Sequence, residues 1–197
     1  MIEREVVYVT DSVAWRQWLV DNHETSTGIN LKIAKKASPH STPSYHEALD
    51  EALCFGWIDG QRNRLDDHFF LQAFTPRTKR STWSQINRDK VAALIEAGRM
   101  RPAGQAEIDR AKADGRWDAA YAGPATIQVP PDLLAAIAAS PAASEFFSGL
   151  SSQNRFAILF RVGQAKLPET RARRIEHFVG MLERGETVYP QRAKKPG

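Results

Sequence analysis

Residues 45–87 read YHEALDEALCFGWIDGQRNRLDDHFFLQAFTPRTKRSTWSQIN, a polar and aromatic block that carries the clearest folding signals of the chain. At its start, Ser44 and Glu47 have the spacing of a capping box, in which each side chain bonds a free amide in the first turn of a helix. Apolar residues then recur on one face, and Gly56 is well placed to end the helix. The spacing therefore predicts an amphipathic helix over residues 44–55.

Two strand-like runs follow this helix, at residues 57–65 and 68–75, and the two aspartates between them predict a tight hairpin. If these aspartates form the turn, side-chain alternation places Asp59 on the same face as Phe74, with Leu71 on the opposite face. We expect the face that carries Leu71 to pack on a helix. A change of register by one residue would exchange the two faces.

The pattern outside this block predicts a helix at about residues 11–22 and a strand at residues 29–33. The chain after the block is helical almost to its end, with Pro131, Pro141 and Pro168 at predicted helix starts. We predict an α+β fold, in which a small antiparallel sheet with packed helices is followed by a C-terminal helical bundle. The predicted parts are an α+β domain with a β-hairpin (1–122), a C-terminal helical region (123–188) and a mobile basic tail (189–197).

The composition, with 42% hydrophobic and 25% charged residues, is that of an ordinary globular protein and excludes a disordered chain. The single cysteine, Cys54, excludes an intramolecular disulfide framework and fits a reducing compartment, and we expect it to be a buried apolar side chain. No secretory signal is recognised, and no run reaches the roughly 20 apolar residues that span a bilayer. We therefore expect a cytoplasmic protein without a membrane span.

Common catalytic motifs are absent from the sequence, including the phosphate loop, the dinucleotide-binding glycine motif, the zinc-protease motif and the nucleophile elbow. The histidine and the carboxylates of the 44–55 helix are residue types that can bind a divalent metal or take part in acid–base chemistry. A polar stripe opposite an apolar one is, however, typical of any surface helix. We expect no metal and no cofactor, and the sequence leaves open whether the protein is an enzyme.

The candidate site lies where the second predicted strand of the hairpin leads into the next helix. Free amides at a helix start favour an anion, and arginine side chains favour phosphate or carboxylate. We predict that Asp59, Arg62, Arg77, Trp83 and Asn87 bind a small anionic or aromatic molecule. Arg77 would pair with the anion, and Trp83 would cover a ring by stacking. Asp59 and Asn87 would orient polar groups.

Three alternatives stay open. In the simplest, a serine caps the helix, the tryptophan belongs to the core, and the basic residues are solvated. The second is a nucleic-acid-binding protein that uses the basic residues of 62–101 and 171–174, since a net charge of +4 and a pI near 9.3 favour an anionic partner. The third is an enzyme in which Glu47 or Glu51, together with Asp59, supplies acid–base groups.

Residues 45–60, YHEALDEALCFGWIDG, resemble the signature of the YdeI/OmpD-associated family, also called bacteriocin-protection proteins. The similarity continues through Phe74-Thr75-Pro76-Arg77, Ser81, Trp83-Ser84, Asn87 and Gly98-Arg99-Met100, and it resumes at Ala165-Lys166, Glu169-Thr170-Arg171 and Arg174-Ile175. The connector between Ala119 and Pro130 departs from the pattern.

The resemblance implies a cytoplasmic bacterial protein with a role in stress or antimicrobial-peptide protection, or an association with an outer-membrane porin. It implies no catalytic residue and no cofactor. Together with the candidate site, it leads us to predict a non-catalytic protein that binds a small anionic or aromatic ligand.

Overall fold

The computed structural model describes residues 4–191, which form a mixed α/β fold with a four-stranded sheet and eight helices. The chain divides into two compact units between Ala120 and Tyr121. The first unit contains β1 (Glu5–Val7), α1 (Ser12–Asn22), β2 (Ile29–Ala34), α2 (Tyr45–Cys54), β3 (Trp57–Arg64), β4 (Phe69–Pro76), α3 (Gln85–Glu96) and α4 (Pro102–Ala113). The second contains α5 (Pro131–Ala138), α6 (Pro141–Ser148), α7 (Ser152–Gly163) and α8 (Pro168–Glu183). Of the predicted tail, residues 192–197 lie outside the described residues.

The sheet has the strand order β1-β2-β4-β3. Strand β4 is antiparallel to both β2 and β3, so the predicted hairpin is present, but four residues, 65–68, connect its strands instead of the two aspartates alone. The prediction of an antiparallel sheet is wrong at one edge, where β1 pairs in parallel with β2. With three residues, β1 is too short to show side-chain alternation, and its partner follows a complete helix in the sequence.

The packed face of the hairpin is the opposite of the one predicted. Phe74 is fully buried in the core of the first unit, whereas Leu71 is only partly buried. The pairing of β3 with β4 is irregular between Asp59 and Arg62, which places Arg62 opposite Gln72. Asp59 still pairs with Phe74, as alternation predicts, so the error lies in the choice of the face that packs. The large aromatic side chains of β4 then determine which face is buried.

The end of α2 positions the segment that carries the candidate site. The predicted capping box is present, with Ser44 and Glu47 bonded to each other's backbone amides. Gly56 follows with a left-handed φ of 74°, and a Cβ there would lie 2.9 Å from the carbonyl oxygen of Ala103, so only glycine fits. The carbonyl of Gly56 accepts a hydrogen bond from the amide of Arg77 at 2.9 Å, which holds the residue that follows β4.

The second unit has an apolar core of its own, built by its four helices. Pro131, Pro141 and Pro168 begin α5, α6 and α8, as predicted from the sequence. The most deeply buried apolar residues of this core are Leu133, Ala143, Ile158, Leu159, Val162 and Leu182. Because these residues come from α5, α6, α7 and α8, the four helices are held against one another by shared apolar contacts.

Candidate functional site

Arg77 lies in the loop between β4 and α3, and its side chain is buried within the first unit. Its Nη1 donates a hydrogen bond to the carbonyl of Thr82 at 3.1 Å, and its Cζ lies 3.6 Å from the centre of the Trp83 ring. Only 5% of Arg77 and 2% of Trp83 is exposed. A guanidinium stacked on an indole is more strongly bound when both are removed from water. The contact therefore stabilises the loop that joins β4 to α3.

Trp83 belongs to the core of the first unit, next to Trp117 at a centroid distance of 5.0 Å. Ser84 caps α3 and accepts a hydrogen bond from the amide of Asn87 at 3.1 Å. Trp83 Nε1 is buried and has no hydrogen-bond partner within residues 4–191. The burial of Trp83 leaves no open ring face to stack on a ligand, so the simpler alternative, a capping serine and a core tryptophan, describes both residues.

Asp59 and Arg62 lie on β3, and each has an aromatic neighbour that the sequence hypothesis did not include. The hydroxyl of Tyr45 donates a hydrogen bond to Asp59 Oδ2 at 2.8 Å. The Cζ of Arg62 lies 3.6 Å from the centre of the Phe70 ring, and the Arg62 side chain is exposed. These contacts give both residues a role in the packing of the sheet surface, beside any role in ligand binding.

The carboxylates named in the enzyme alternative are engaged in structural contacts. The hydrogen bond from the backbone amide of the N-cap serine lowers the pKa of Glu47. Glu51 is buried between two guanidinium groups, at 2.5 Å from Arg16 and 2.7 Å from Arg99. Burial raises the pKa of the Cys54 thiol, which is buried as predicted. A buried carboxylate with two guanidinium partners joins α1, α2 and the connection between α3 and α4.

Two of the basic residues between 171 and 174 hold the helices of the second unit together. Arg171 makes two hydrogen bonds to the carboxylate of Asp132, at 2.6 and 2.8 Å, and a third to the carbonyl of Val162 at 3.1 Å. These hydrogen bonds lower the pKa of Asp132. Arg174 donates to the carbonyl of Arg161. Arginines of α8 therefore cap the C-terminal end of α7, where backbone carbonyls lack helical partners.

A cavity of about 560 Å³ in the second unit combines cationic and aromatic side chains. It is lined by Phe160, Arg161, Gln164, Arg173, Arg174, His177 and Phe178, and we call it the basic cavity. No carboxylate is among these described lining residues, so the positive charge has no counter-charge at the cavity wall. The sequence hypothesis missed this site because α7 and α8 each supply part of it. Its only sequence signal was the basic group near residue 173.

A larger cavity of about 880 Å³ lies along α8 and has a mixed charge. Its lining includes the Asp132–Arg171 ion pair, Arg184, and the carboxylates of Glu176 and Glu183. Three carboxylates and two guanidinium groups therefore surround an apolar floor, and nothing in this lining favours an anion. The basic cavity is the more selective of the two.

Residues 4–191 contain neither a cluster of metal-binding side chains nor a helix that could span a membrane. No group of three or more histidine, cysteine, aspartate or glutamate side chains in this part of the chain is arranged to hold a metal ion. Nor does any helix within the same residues combine the length and the apolar character needed to cross a membrane.

Comparison with known families divides the chain near the boundary between the two compact units. Residues 7–107, just over half of the chain, match the model of a family described as a domain of unknown function (DUF8412). The chain belongs to this family. Residues 126–185 match the model of the family described as "Bacteriocin-protection, YdeI or OmpD-Associated", which confirms the resemblance seen in the sequence. The first motif of that resemblance, at residues 45–60, lies in the DUF8412 stretch. Searches of the curated proteins and of the solved structures returned no match.

Proposed function

We propose that the protein binds a small anionic ligand in the basic cavity and acts without catalysis. The observation that supports this proposal is the grouping of three arginines and a histidine around one cavity, with no carboxylate among its described lining residues. Guanidinium groups suit carboxylate and phosphate because their N–H donors form a planar fork. The cavity volume falls within the range of small-molecule sites in proteins.

The hydrogen bond of Arg174 supports the same proposal. Nη1 of Arg174 donates to the carbonyl of Arg161, which orients the guanidinium at the end of α7 and involves one of its nitrogen atoms. The C-terminal carbonyls of a helix carry partial negative charge, which opposes anion binding. Arg171 and Arg174 donate to two of these carbonyls, those of Val162 and Arg161, and so reduce that opposition.

We further propose that ligand binding serves stress or antimicrobial-peptide protection in the cytoplasm. The support is the description of the family matched by residues 126–185, which names bacteriocin protection. The basic cavity lies in that same stretch of the chain, because its lining residues run from Phe160 to Phe178.

The candidate site predicted from the sequence, with its five residues, is a second proposed binding site for a small anionic ligand. Arg62 is exposed and Asp59 is partly exposed, so a ligand can reach both on β3. Arg77 and Trp83 are buried, so their participation requires the loop between β4 and α3 to open. Arg62→Ala tests this place, because it removes the exposed guanidinium and leaves the buried pair untouched.

Nucleic-acid binding is the second candidate function, and the exposed Arg173 beside the basic cavity favours it. Arg171 and Arg174 already contact Asp132 and a backbone carbonyl, which reduces the charge available to a phosphate backbone. A salt titration separates the two functions. The affinity for a single-stranded oligonucleotide should fall steeply with salt if several phosphates are contacted, and a flat response would rule this function out.

The direct experiment is a calorimetric titration of the whole chain with inorganic phosphate. We expect wild-type protein to bind, and we expect the double variant Arg173→Gln/Arg174→Gln to bind at least about tenfold more weakly, because charge-assisted hydrogen bonds contribute about 1.5–3 kcal/mol each. Arg155→Gln is the matched control, since Arg155 lies on α7 outside the cavity lining and carries the same charge. No binding by wild-type protein, or an equal loss in the control, would overturn the proposal.

A further inference from the structure

A further cavity, of about 410 Å³, lies beside the basic cavity in the second unit. Its lining includes Tyr121, Gln153, Phe156, Phe160, Arg161 and Tyr189, and we call it the aromatic cavity. Four of these six residues are aromatic, and both its polar amide and its arginine lie among the rings. Such a lining suits a flat ring with polar atoms at its edge.

Two residues line both cavities. Phe160 and Arg161 are consecutive on α7, and each borders the basic cavity and the aromatic cavity. The two cavities therefore meet at a single turn of one helix. A ligand that extends past this turn would place one end among arginines and the other among aromatic rings.

The aromatic side chains around this turn are arranged to take up another ring. Phe156 and Phe160 are stacked with centroids 5.7 Å apart, and Tyr121 meets the Phe160 ring edge-on at 4.7 Å. The Cζ of Arg161 lies 5.6 Å from the centre of the Tyr189 ring. Phe156, Phe160 and Arg161 are all only partly buried. Partly buried rings and a neighbouring guanidinium are the groups on which proteins stack unpaired bases.

We infer that the two cavities form one site for a ligand that joins a flat aromatic ring to an anionic group, as a nucleoside monophosphate does. The anionic group lies in the basic cavity, bound by Arg173 and Arg174. The ring lies in the aromatic cavity, stacked on Phe156, with Arg161 between the two halves. This inference rests on the proposed function, because it uses the basic cavity as the place of the anion.

Three probes separate the two halves in calorimetric titrations of the whole chain. Adenosine 5′-monophosphate carries both the ring and the anion, ribose 5-phosphate carries the anion alone, and adenosine carries the ring alone. We expect the first to bind at least about tenfold more tightly than either of the others, since stacking of one base contributes about tenfold or more in affinity.

Variants then assign the ring to its cavity. Phe156→Ala should weaken the binding of adenosine 5′-monophosphate about tenfold and leave ribose 5-phosphate unchanged. Phe146→Ala is the matched control, because Phe146 is a partly buried phenylalanine of the same unit that lines neither cavity. Circular dichroism of each variant verifies that the unit remains folded.

The outcomes distinguish this inference from the proposed function. Equal affinities for adenosine 5′-monophosphate and ribose 5-phosphate would overturn the two-part site and leave anion binding in place. Equal affinities for adenosine 5′-monophosphate and adenosine would also overturn it, because the anionic half would then be unused. If none of the phosphate compounds binds, the proposed function itself fails.

Discussion

The loop around Arg77 in the first unit and the basic cavity in the second unit both place guanidinium groups beside aromatic rings, but they differ in access. Arg77 covers the Trp83 ring at 3.6 Å, and little of either residue is exposed. Arg173 and Arg174 instead border a cavity of about 560 Å³. Aromatic rings therefore occur near the arginines of both regions, and the adjoining cavity is what gives the arginines of the second region space for a ligand.

The largest effect is expected from Trp83→Ala, which tests whether the first region is closed. Removal of a buried aromatic side chain should lower the free energy of unfolding of the first unit by roughly 3–5 kcal/mol. Urea denaturation followed by circular dichroism measures this change. Tyr8→Ala, in which the lost ring is 47% exposed, is the control and should cost less than about 1 kcal/mol. A Trp83→Ala protein of wild-type stability would contradict the closed arrangement.

A smaller effect is expected from Arg77→Ala, and Arg62→Ala provides a matched comparison. In both wild-type contacts the Cζ lies 3.6 Å from a ring centre, but only Arg62 is exposed. We expect Arg77→Ala to lower the free energy of unfolding by about 2–3 kcal/mol and Arg62→Ala by less than about 1 kcal/mol. The same denaturation experiment measures both. Equal losses would show that burial does not separate the two contacts.

Arg173→Ala tests whether an arginine of the basic cavity, unlike Arg77, binds a ligand without stabilising the fold. Because Arg173 is exposed, its removal should change the free energy of unfolding by no more than about 0.5 kcal/mol. The affinity of the variant for inorganic phosphate should nevertheless fall, so that the change weakens binding without lowering stability. Thermal denaturation and calorimetric titration of the same protein sample measure the two quantities. A large loss of stability would mean that Arg173 is structural, as Arg77 is.

The smallest effect on stability is expected from protonation of Asp132 at acidic pH. Hydrogen bonds from Arg171 lower the pKa of Asp132 in the folded protein below its ordinary value of 3.8. The ionised carboxylate therefore stabilises the second unit above pH 3.8, and this contribution is lost as the pH falls through the lowered pKa. Since the Asp132 side chain is 46% exposed, the contribution is only a few tenths of a kcal/mol.

Thermal denaturation between pH 5 and pH 2 measures this contribution as a difference between wild type and Asp132→Asn. The stabilities of the two proteins should converge as the pH falls, because the variant lacks the carboxylate that titrates. A constant difference across this range would mean that the ion pair does not depend on the charge of Asp132.

Local signals in the sequence were sufficient for many of the elements. The capping box of Ser44 and Glu47 predicted the start of α2, and proline at the first turn predicted α5, α6 and α8. The β3–β4 hairpin was also predicted. These features depend on residues within a few positions of each other, so no knowledge of the rest of the chain is needed to recognise them.

The errors all depend on distant partners. β1 forms only because β2 offers it an edge, and the packed face of the hairpin depends on the helices whose apolar residues share a core with Phe70 and Phe74. The burial of Trp83 depends on Trp117, which lies beyond two further helices. The sequence near each of these residues carries no signal of its partner. The candidate site was therefore predicted from residues that are close in sequence, and the fold buries some of them.

By itself the sequence determined the capping, several helix starts and the resemblance to the YdeI/OmpD-associated family, because each is encoded in short runs of residues. Only the tertiary structure decided which arginines are enclosed and which border a cavity. That choice depends on how α7 and α8 pack, since Arg161 is on one helix and Arg173 and Arg174 are on the other. Packing brings these residues to one cavity wall, and no spacing along the chain predicts it.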